Sequence, residues 1–275
     1  MSGRTEAEER VRSRRAATVA DVRALGQPPG LRERRNEEHW AGRLYMRSLS
    51  PYVSWVALRL GFSPNQLTYL MMLSGIVAGV VVAVPGWPLW SAVAGALLVQ
   101  VYLLLDCVDG EVARYLRRTS VAGVYLDRIG HYLAEVALLV GLGARAQGDW
   151  ESGGWLELGL VAALGAALIK AETDNVVVAR AKSGLPADPE TGDRALRPRS
   201  AGLALARQAA AALRFHRIIG AVELSLLIVL AAVLDVLVDG HTPAATRVLA
   251  VAVALVAAVQ TLLHLVSVLA SRRLR

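Results

Sequence analysis

Cysteine is nearly absent from this chain: Cys107 is the only one among 275 residues, which excludes an internal disulfide framework. Cys107 has no obvious base dedicated to it and reads as a small packing residue, not a catalytic thiol. Lysine is almost as scarce, limited to Lys170 and Lys182, so the formal net charge of +7 rests on arginine. Charged residues of both signs make up only 19% of the chain, less than a soluble domain of this length usually carries. No apolar core follows closely on the charges of the first residues, so they do not read as a signal peptide. A convincing inverted repeat is also missing, which argues against a secondary transporter.

What the chain has instead is apolar length. Hydrophobic residues make up 55% of it, and they fall in long runs, the mark of a bilayer-embedded protein. Six runs predict membrane spans at about 66–84, 88–106, 122–143, 155–178, 218–238 and 244–270, each near the ~20 residues needed to cross the hydrocarbon core. The fourth carries Lys170, Glu172 and Asp174 near its end and is expected to continue as a helix to Lys182. The expected fold class is therefore an all-α integral membrane protein, with six transmembrane helices preceded by an amphipathic interfacial helix.

Three regions follow. Residues 1–38 are rich in Arg and Glu and broken at Pro28, Pro29 and Gly30; they are expected to form a charged, partly disordered or loosely helical cytoplasmic arm. Residues 39–61 alternate Trp40, Leu44, Tyr45, Leu49, Tyr52, Val53 and Trp55 with Arg43, Arg47 and Arg59. Too short and charged to span, they read as a juxtamembrane helix with rings at headgroup depth. Residues 62–275 hold the six spans. The arm, 114–118, 183–217 and 272–275 are basic; the remaining connections hold only Arg145 and Arg247. The positive-inside rule places both termini in the cytoplasm of a multi-pass protein of the cell inner or plasma membrane. The positive charge thus serves topology and lipid phosphate, with no nucleic-acid partner.

The second span runs into Asp106, Cys107, Val108, Asp109, Gly110, Glu111, Val112, Ala113 and Arg114. On a helix, Asp106, Asp109 and Ala113 share a face, as do Asp127, His131 and Glu135 in the next span. A short basic turn joins the two, so their acidic faces can meet. Carboxylates gathered at a bilayer edge repel and need a compensating cation. Hard divalent ions such as Mg²⁺ or Mn²⁺, two of them ~4 Å apart, suit that demand and suit phosphoryl displacement. Gly110, Ala113 and Gly123 leave room for close approach, and Arg114 can pair with phosphate. One such aspartate alone would read as a helix-end cap.

This constellation, Asp106-x2-Asp109-Gly110-x2-Ala113-Arg114-x8-Gly123-x3-Asp127-x3-His131, resembles the signature of the CDP-alcohol phosphotransferases (CDP-alcohol phosphatidyltransferases), matching every fixed position but the last. The resemblance covers about residues 40–270. It implies metal-dependent transfer of a phosphoalcohol (phosphatidyl or similar) group from a CDP-linked donor to an alcohol acceptor, releasing CMP, in phospholipid biosynthesis. It further implies a site facing the cytoplasm, membrane lipids as surroundings and a homodimer. Carried over, Asp106, Asp109 and Asp127 would bind the metals, and Asp106, Gly110, Ala113, Arg114 and Gly123 would border the nucleotide. Asn65 and Thr68, in Ser63-Pro64-Asn65-x2-Thr68, are similar to the family's Pro-Asn-x2-Thr element near the nucleotide. The donor would be CDP-diacylglycerol or a small CDP-alcohol.

The family's last position is acidic, and here it is His131. Three readings follow: the imidazole is the general base, it is a metal ligand that shifts metal preference, or turnover is lost and the scaffold only binds CDP-nucleotide and metal. Glu135, Lys170, Arg180 and Glu223 are candidates for an acceptor site or polar cavity. Glu135 could orient His131 or make a plain polar contact; Lys170, Arg180 and Lys182 read better as snorkelling to the cytosolic interface than as an acceptor-phosphate pocket; and Glu223 falls inside the fifth span. His264 and Gln260 share a face in the sixth span and read as interhelical contacts. Residues 201–215 read as an Ala-rich amphipathic helix, flanked by Arg194, Arg197, Arg199 and Arg207, with anionic-lipid contact as one use.

Overall fold

A computed structural model describes residues 14, 16–28, 40–149, 151–186, 220–238, 242–270 and 274. The expected helix over 201–215 and Arg194, Arg197, Arg199, Arg207, Arg272 and Arg275 lie outside the described residues. Among the described residues there is no strand. The elements are α1 (Val19–Gly26), a π-helical turn (Gly42–Met46), α2 (Arg47–Leu60), α3 (Pro64–Ala83), α4 (Pro88–Tyr115), α5 (Val121–Gln147), α6 (Gly154–Lys182), α7 (Ala221–Val238) and α8 (Ala244–Ala270). The six helices α3 to α8 are long and apolar enough to cross a membrane, and the protein is a multi-pass membrane protein of all-α class, as the runs predict. The helical α4 and α6 outlast their apolar windows: α4 carries the whole stretch from Asp106 to Arg114, and α6 reaches Lys182.

The chain divides into two compact units, Met1–Ala78 with Leu97–Ala134 and Gly79–Ala96 with Glu135–Arg275. In the first, Ala17, Val22, Leu58, Leu67, Val108, Val112 and Tyr115 are buried together. Helices approach through small residues, since backbones must come close where lipid gives helices little hydrophobic reason to associate. A Cβ on Gly75 would stand 2.5 Å from that of Ala134. In the second unit the Gly143 and Gly159 backbones meet, a Cβ on either falling 2.8 Å from the Cα of the other.

Two features of the first unit go further than the sequence reading. The arm holds an ordered helix, α1, begun by a capping box in which Thr18 and Asp21 exchange hydrogen bonds. Ala17 and Val22 are fully buried, so this part of the arm packs against the protein and is not a solvated tail. Helix α2 also has a second buried face. Its apolar residues Leu49, Tyr52, Val56 and Leu60 are exposed on one face, while the small residues Ser50, Ser54 and Ala57 are buried. An apolar stripe turned outward is what an interfacial helix offers to lipid. The inward side also buries Leu58, and its two serines meet a buried carboxylate, described next.

Candidate metal and nucleotide site

Helix α4 presents Tyr102, Asp106, Asp109 and Ala113 at spacings of three and four, and α5 presents Asp127 and His131 at a spacing of four. The helices are linked by a tight turn in which the Arg118 amide donates to the Ala113 carbonyl at 2.8 Å and Arg117 takes a left-handed φ of 51°. That return brings the two acidic faces together. Ligand atoms of Asp106, Asp127 and His131 lie within 4.8 Å of one another. His131 Nε2 stands 3.3 Å from Asp106 Oδ1 and 3.6 Å from Asp127 Oδ1, and the two carboxyl groups are within hydrogen-bond reach of each other. All three residues are half-buried.

Two carboxylates this close, under a helix bundle, need a shared proton or a cation between them. The donor set of two carboxylate oxygens and an imidazole nitrogen fits a divalent ion, and the imidazole widens the choice toward the transition metals. Asp109 stands apart from that triad. It is buried, and its Oδ2 accepts from the Thr68 hydroxyl at 2.6 Å. The same hydroxyl lies 3.2 Å from the Pro64 carbonyl, so the first turn of α3 is tied to the acidic face of α4.

The remaining motif residues cluster with these. A Cβ on Gly123 would lie 3.4 Å from Asn65 Oδ1 and 3.2 Å from Ser120 Oγ, which sets Asn65 beside the start of α5. The Ser120 hydroxyl accepts from the Gly123 amide at 3.0 Å. Gly110 borders Arg114: a Cβ there would stand 2.9 Å from one guanidinium nitrogen and 3.2 Å from the other. The glycine therefore makes room first for the arginine of its own helix. Ala113 is half-buried one residue before Arg114.

The four acceptor candidates are not brought together. Glu135 Oε1 pairs with Lys170 Nζ at 3.1 Å. Arg180 stands about 15 Å farther along α6, is buried, and donates from Nε to the Pro186 carbonyl at 2.9 Å. Burial corrects the interfacial reading of Arg180. Glu223 sits in the first turn of α7, inside the apolar stretch Ala221–Val238 that is long enough to span, where an acidic group suits the helix dipole. His264 Nδ1 pairs with Glu172 Oε2 at 2.7 Å. Cys107 is buried.

Sequence reasoning missed two participants. Tyr102, one turn before Asp106, sets its hydroxyl against His131 Nδ1, with the rings edge to face at 5.7 Å. Its signal was its place on the Asp106 face. Glu111, inside the motif, is fully buried. It accepts from Ser50, from Ser54 at 2.6 Å and from Gln27 at 2.8 Å, with Arg47 at 3.7 Å. Such a carboxylate is tolerable only because its oxygens are this well supplied with donors.

Comparison with known proteins gives the same identification as the motif. Residues 62–189 match the family model for CDP-alcohol phosphatidyltransferase. The chain is 32% identical over 116 residues to a phosphatidylinositol phosphate synthase of Streptomyces avermitilis, covering 42% of this chain and 43% of that protein. It is 40% identical over 83 residues to an archaetidylinositol phosphate synthase of Aeropyrum pernix, covering 30% and 40%. A bifunctional IPC transferase and DIPP synthase of Aquifex aeolicus is 34% identical over 95 residues, covering 34% and 21%. The match thus spans less than half the length of each of these relatives.

Proposed function

The chain carries a CDP-alcohol phosphatidyltransferase domain at residues 62–189, and from that premise we propose that it transfers a phosphatidyl group from a CDP-linked lipid to a polyol acceptor and releases CMP. The observation that carries this reading is the convergence of Asp106, Asp127 and His131 within 4.8 Å. The relatives named as inositol phosphate synthases support a polyol phosphate as acceptor and CDP-diacylglycerol as donor. Lipid synthesis at the cytoplasmic face of the cell membrane, by a homodimer with both termini inside, belongs to the same reading.

Asp106, Asp127 and His131 would hold the metal, with Asp109 contributing from the same face of α4. Mg²⁺ or Mn²⁺, in a pair, would supply charge neutralisation for displacement at phosphorus. Asn65, Thr68, Gly110, Ala113, Arg114 and Gly123 border the cytidine diphosphate. The acceptor hydroxyl oxygen bonds to the phosphorus that carries the lipid alcohol, the bond from that phosphorus to the CMP oxygen breaks, and the hydroxyl proton leaves to a base. We assign that proton to His131 when its Nε2 is off the metal; with Nε2 on the metal the imidazole is a ligand and the proton leaves to solvent. With Nδ1–H donated to the Tyr102 oxygen, Nε2 keeps the lone pair that a base or a ligand requires.

The test is incubation of the purified chain with CDP-diacylglycerol, Mn²⁺ and a panel of polyols and polyol phosphates, with products weighed by mass spectrometry. A phosphatidyl-polyol product is expected, with an inositol phosphate among the acceptors used. Nucleotide binding with no product across the panel would favour a catalytically altered CDP-nucleotide- and metal-binding protein on the same scaffold.

A further inference from the structure

Helix α1 ends at the motif. Gly26, its last residue, accepts at its carbonyl from Arg114 Nε at 2.6 Å, and the next residue, Gln27, donates from Nε2 to Glu111 Oε1 at 2.8 Å. Two consecutive residues of the arm thus grip two α4 residues one turn apart. The fit depends on glycine, because a Cβ on Gly26 would stand 3.1 Å from Glu111 Cβ and 3.2 Å from its Cγ.

Gln27 has a further task. Pro51, inside α2, has no amide hydrogen and cannot close the helical bond to the Arg47 carbonyl. Gln27 Nε2 donates to that carbonyl at 2.7 Å. The same amide thus meets a backbone group freed by Pro51 and a buried carboxylate in the motif. The segment is seated independently by its capping box, by burial of Ala17 and Val22, by Trp55 Nε1 donating to the Ala17 carbonyl at 2.9 Å, and by Arg14 donating to the Gly61 carbonyl.

We propose that residues 16–28 form a strap that positions Arg114 for the diphosphate of the donor, with Gly26 and Gln27 as positioning residues. The proposal rests on the reading of Arg114 as a nucleotide-site residue. An unheld arginine must give up the freedom of its rotatable side chain when a phosphate arrives. Here Nε is already committed to a fixed carbonyl, and the outer nitrogens lie over Gly110, beside the Asp109 turn, with their donor hydrogens disposed as a fork. Binding to a preorganised fork loses less entropy than binding to a mobile one. The strap adds no atom to the reaction. Its effect falls on donor affinity, while the metal residues Asp106, Asp127 and His131 are untouched.

The experiment measures CDP affinity of the full chain in nanodiscs with Mn²⁺ present, by calorimetry, for wild type, Gly26→Val, Gln27→Ala, Arg114→Ala and the double variants. Thermal unfolding and Mn²⁺ binding of each variant check its fold. Gly26→Val is expected to raise the CDP dissociation constant about tenfold and Gln27→Ala about threefold, as preorganisation is lost. Either change should cost less than about twofold once Arg114 is alanine. In turnover with a CDP-linked donor, the donor KM should rise with kcat little changed. The strap is overturned if folded Gly26→Val and Gln27→Ala bind CDP as wild type does, or if they cost as much without Arg114 as with it. An Arg114→Ala variant with wild-type CDP affinity instead overturns the assignment of Arg114, and the strap with it. Gln27→Ala adds no bulk and leaves the backbone of the arm unaltered, so it keeps the question decidable if Gly26→Val does not fold.

Discussion

At the scale of the residue, the geometry turns on one imidazole with both nitrogens engaged. Tyr102 meets Nδ1, and Asp106 and Asp127 face Nε2. A ring held on both sides has a fixed plane, and the Tyr102 hydroxyl holds Nδ1 while Nε2 faces the two carboxylates. Partners that orient a ligand or base usually matter about 10- to 100-fold. Tyr102→Phe is therefore expected to lower turnover about tenfold with CDP affinity unchanged, measured by steady-state kinetics beside calorimetry. His131→Ala should reduce turnover on the order of 100-fold or more, since a positioned general base contributes that much, while CDP binding survives. Turnover unchanged in His131→Ala would remove the histidine from the chemistry. His131→Asp, which restores an acid at that place, should retain or raise activity.

At the scale of the element, helix ends do the positioning. The α4–α5 turn sets the two acidic faces together, and it does so with a non-glycine residue in the left-handed region, Arg117. A side chain there costs about 1 kcal/mol. Arg117→Gly should be neutral or stabilising, and the β-branched Arg117→Val should destabilise by more than ~1 kcal/mol, both read by thermal unfolding in detergent. In the second unit, Asp235 near the end of α7 caps α8, accepting from Ala245 N at 2.6 Å and from Thr246 N and Oγ1 at 3.2 and 2.6 Å. Asp235→Ala should cost about 1–2 kcal/mol, as lost caps do, with donor KM unaltered.

The same elements show what a sequence can and cannot reveal. Asp106, Asp127 and His131 are legible because helical periodicity alone puts them on facing stripes. The partners of Glu111 are not, because Ser50, Ser54 and Gln27 come from segments whose docking no local pattern encodes. Arg114 was readable as a phosphate partner, but its bond to the Gly26 carbonyl spans 88 residues of sequence. The ordered α1 is hidden by its charges: Arg23 and Asp21 mark a polar surface, and few apolar residues, Ala17, Val22 and the partly covered Leu25, carry the burial.

At the scale of the whole molecule, the fold class follows from apolar length, since a chain crossing lipid must satisfy its backbone internally and helices do so. The six spans were placed within a few residues where a Gly or Pro punctuates them, as at Pro88 and Pro64. Helices α4 and α6 outran the hydropathy windows because a helix does not stop where the lipid does. Orientation is the whole-molecule prediction: reporter fusions at the two ends should both report the cytoplasm, given the arginine distribution.

The central claim is that Asp106, Asp127 and His131 form a divalent-metal site for phosphotransfer from a CDP-linked donor. Its most direct test is CMP release by the purified chain from CDP-diacylglycerol, with an inositol phosphate present, before and after EDTA and on return of Mn²⁺ or Mg²⁺. The expected result is release that EDTA abolishes, that added metal restores, and that Asp127→Asn lacks throughout. CMP release indifferent to EDTA, or undiminished in Asp127→Asn, would contradict the account.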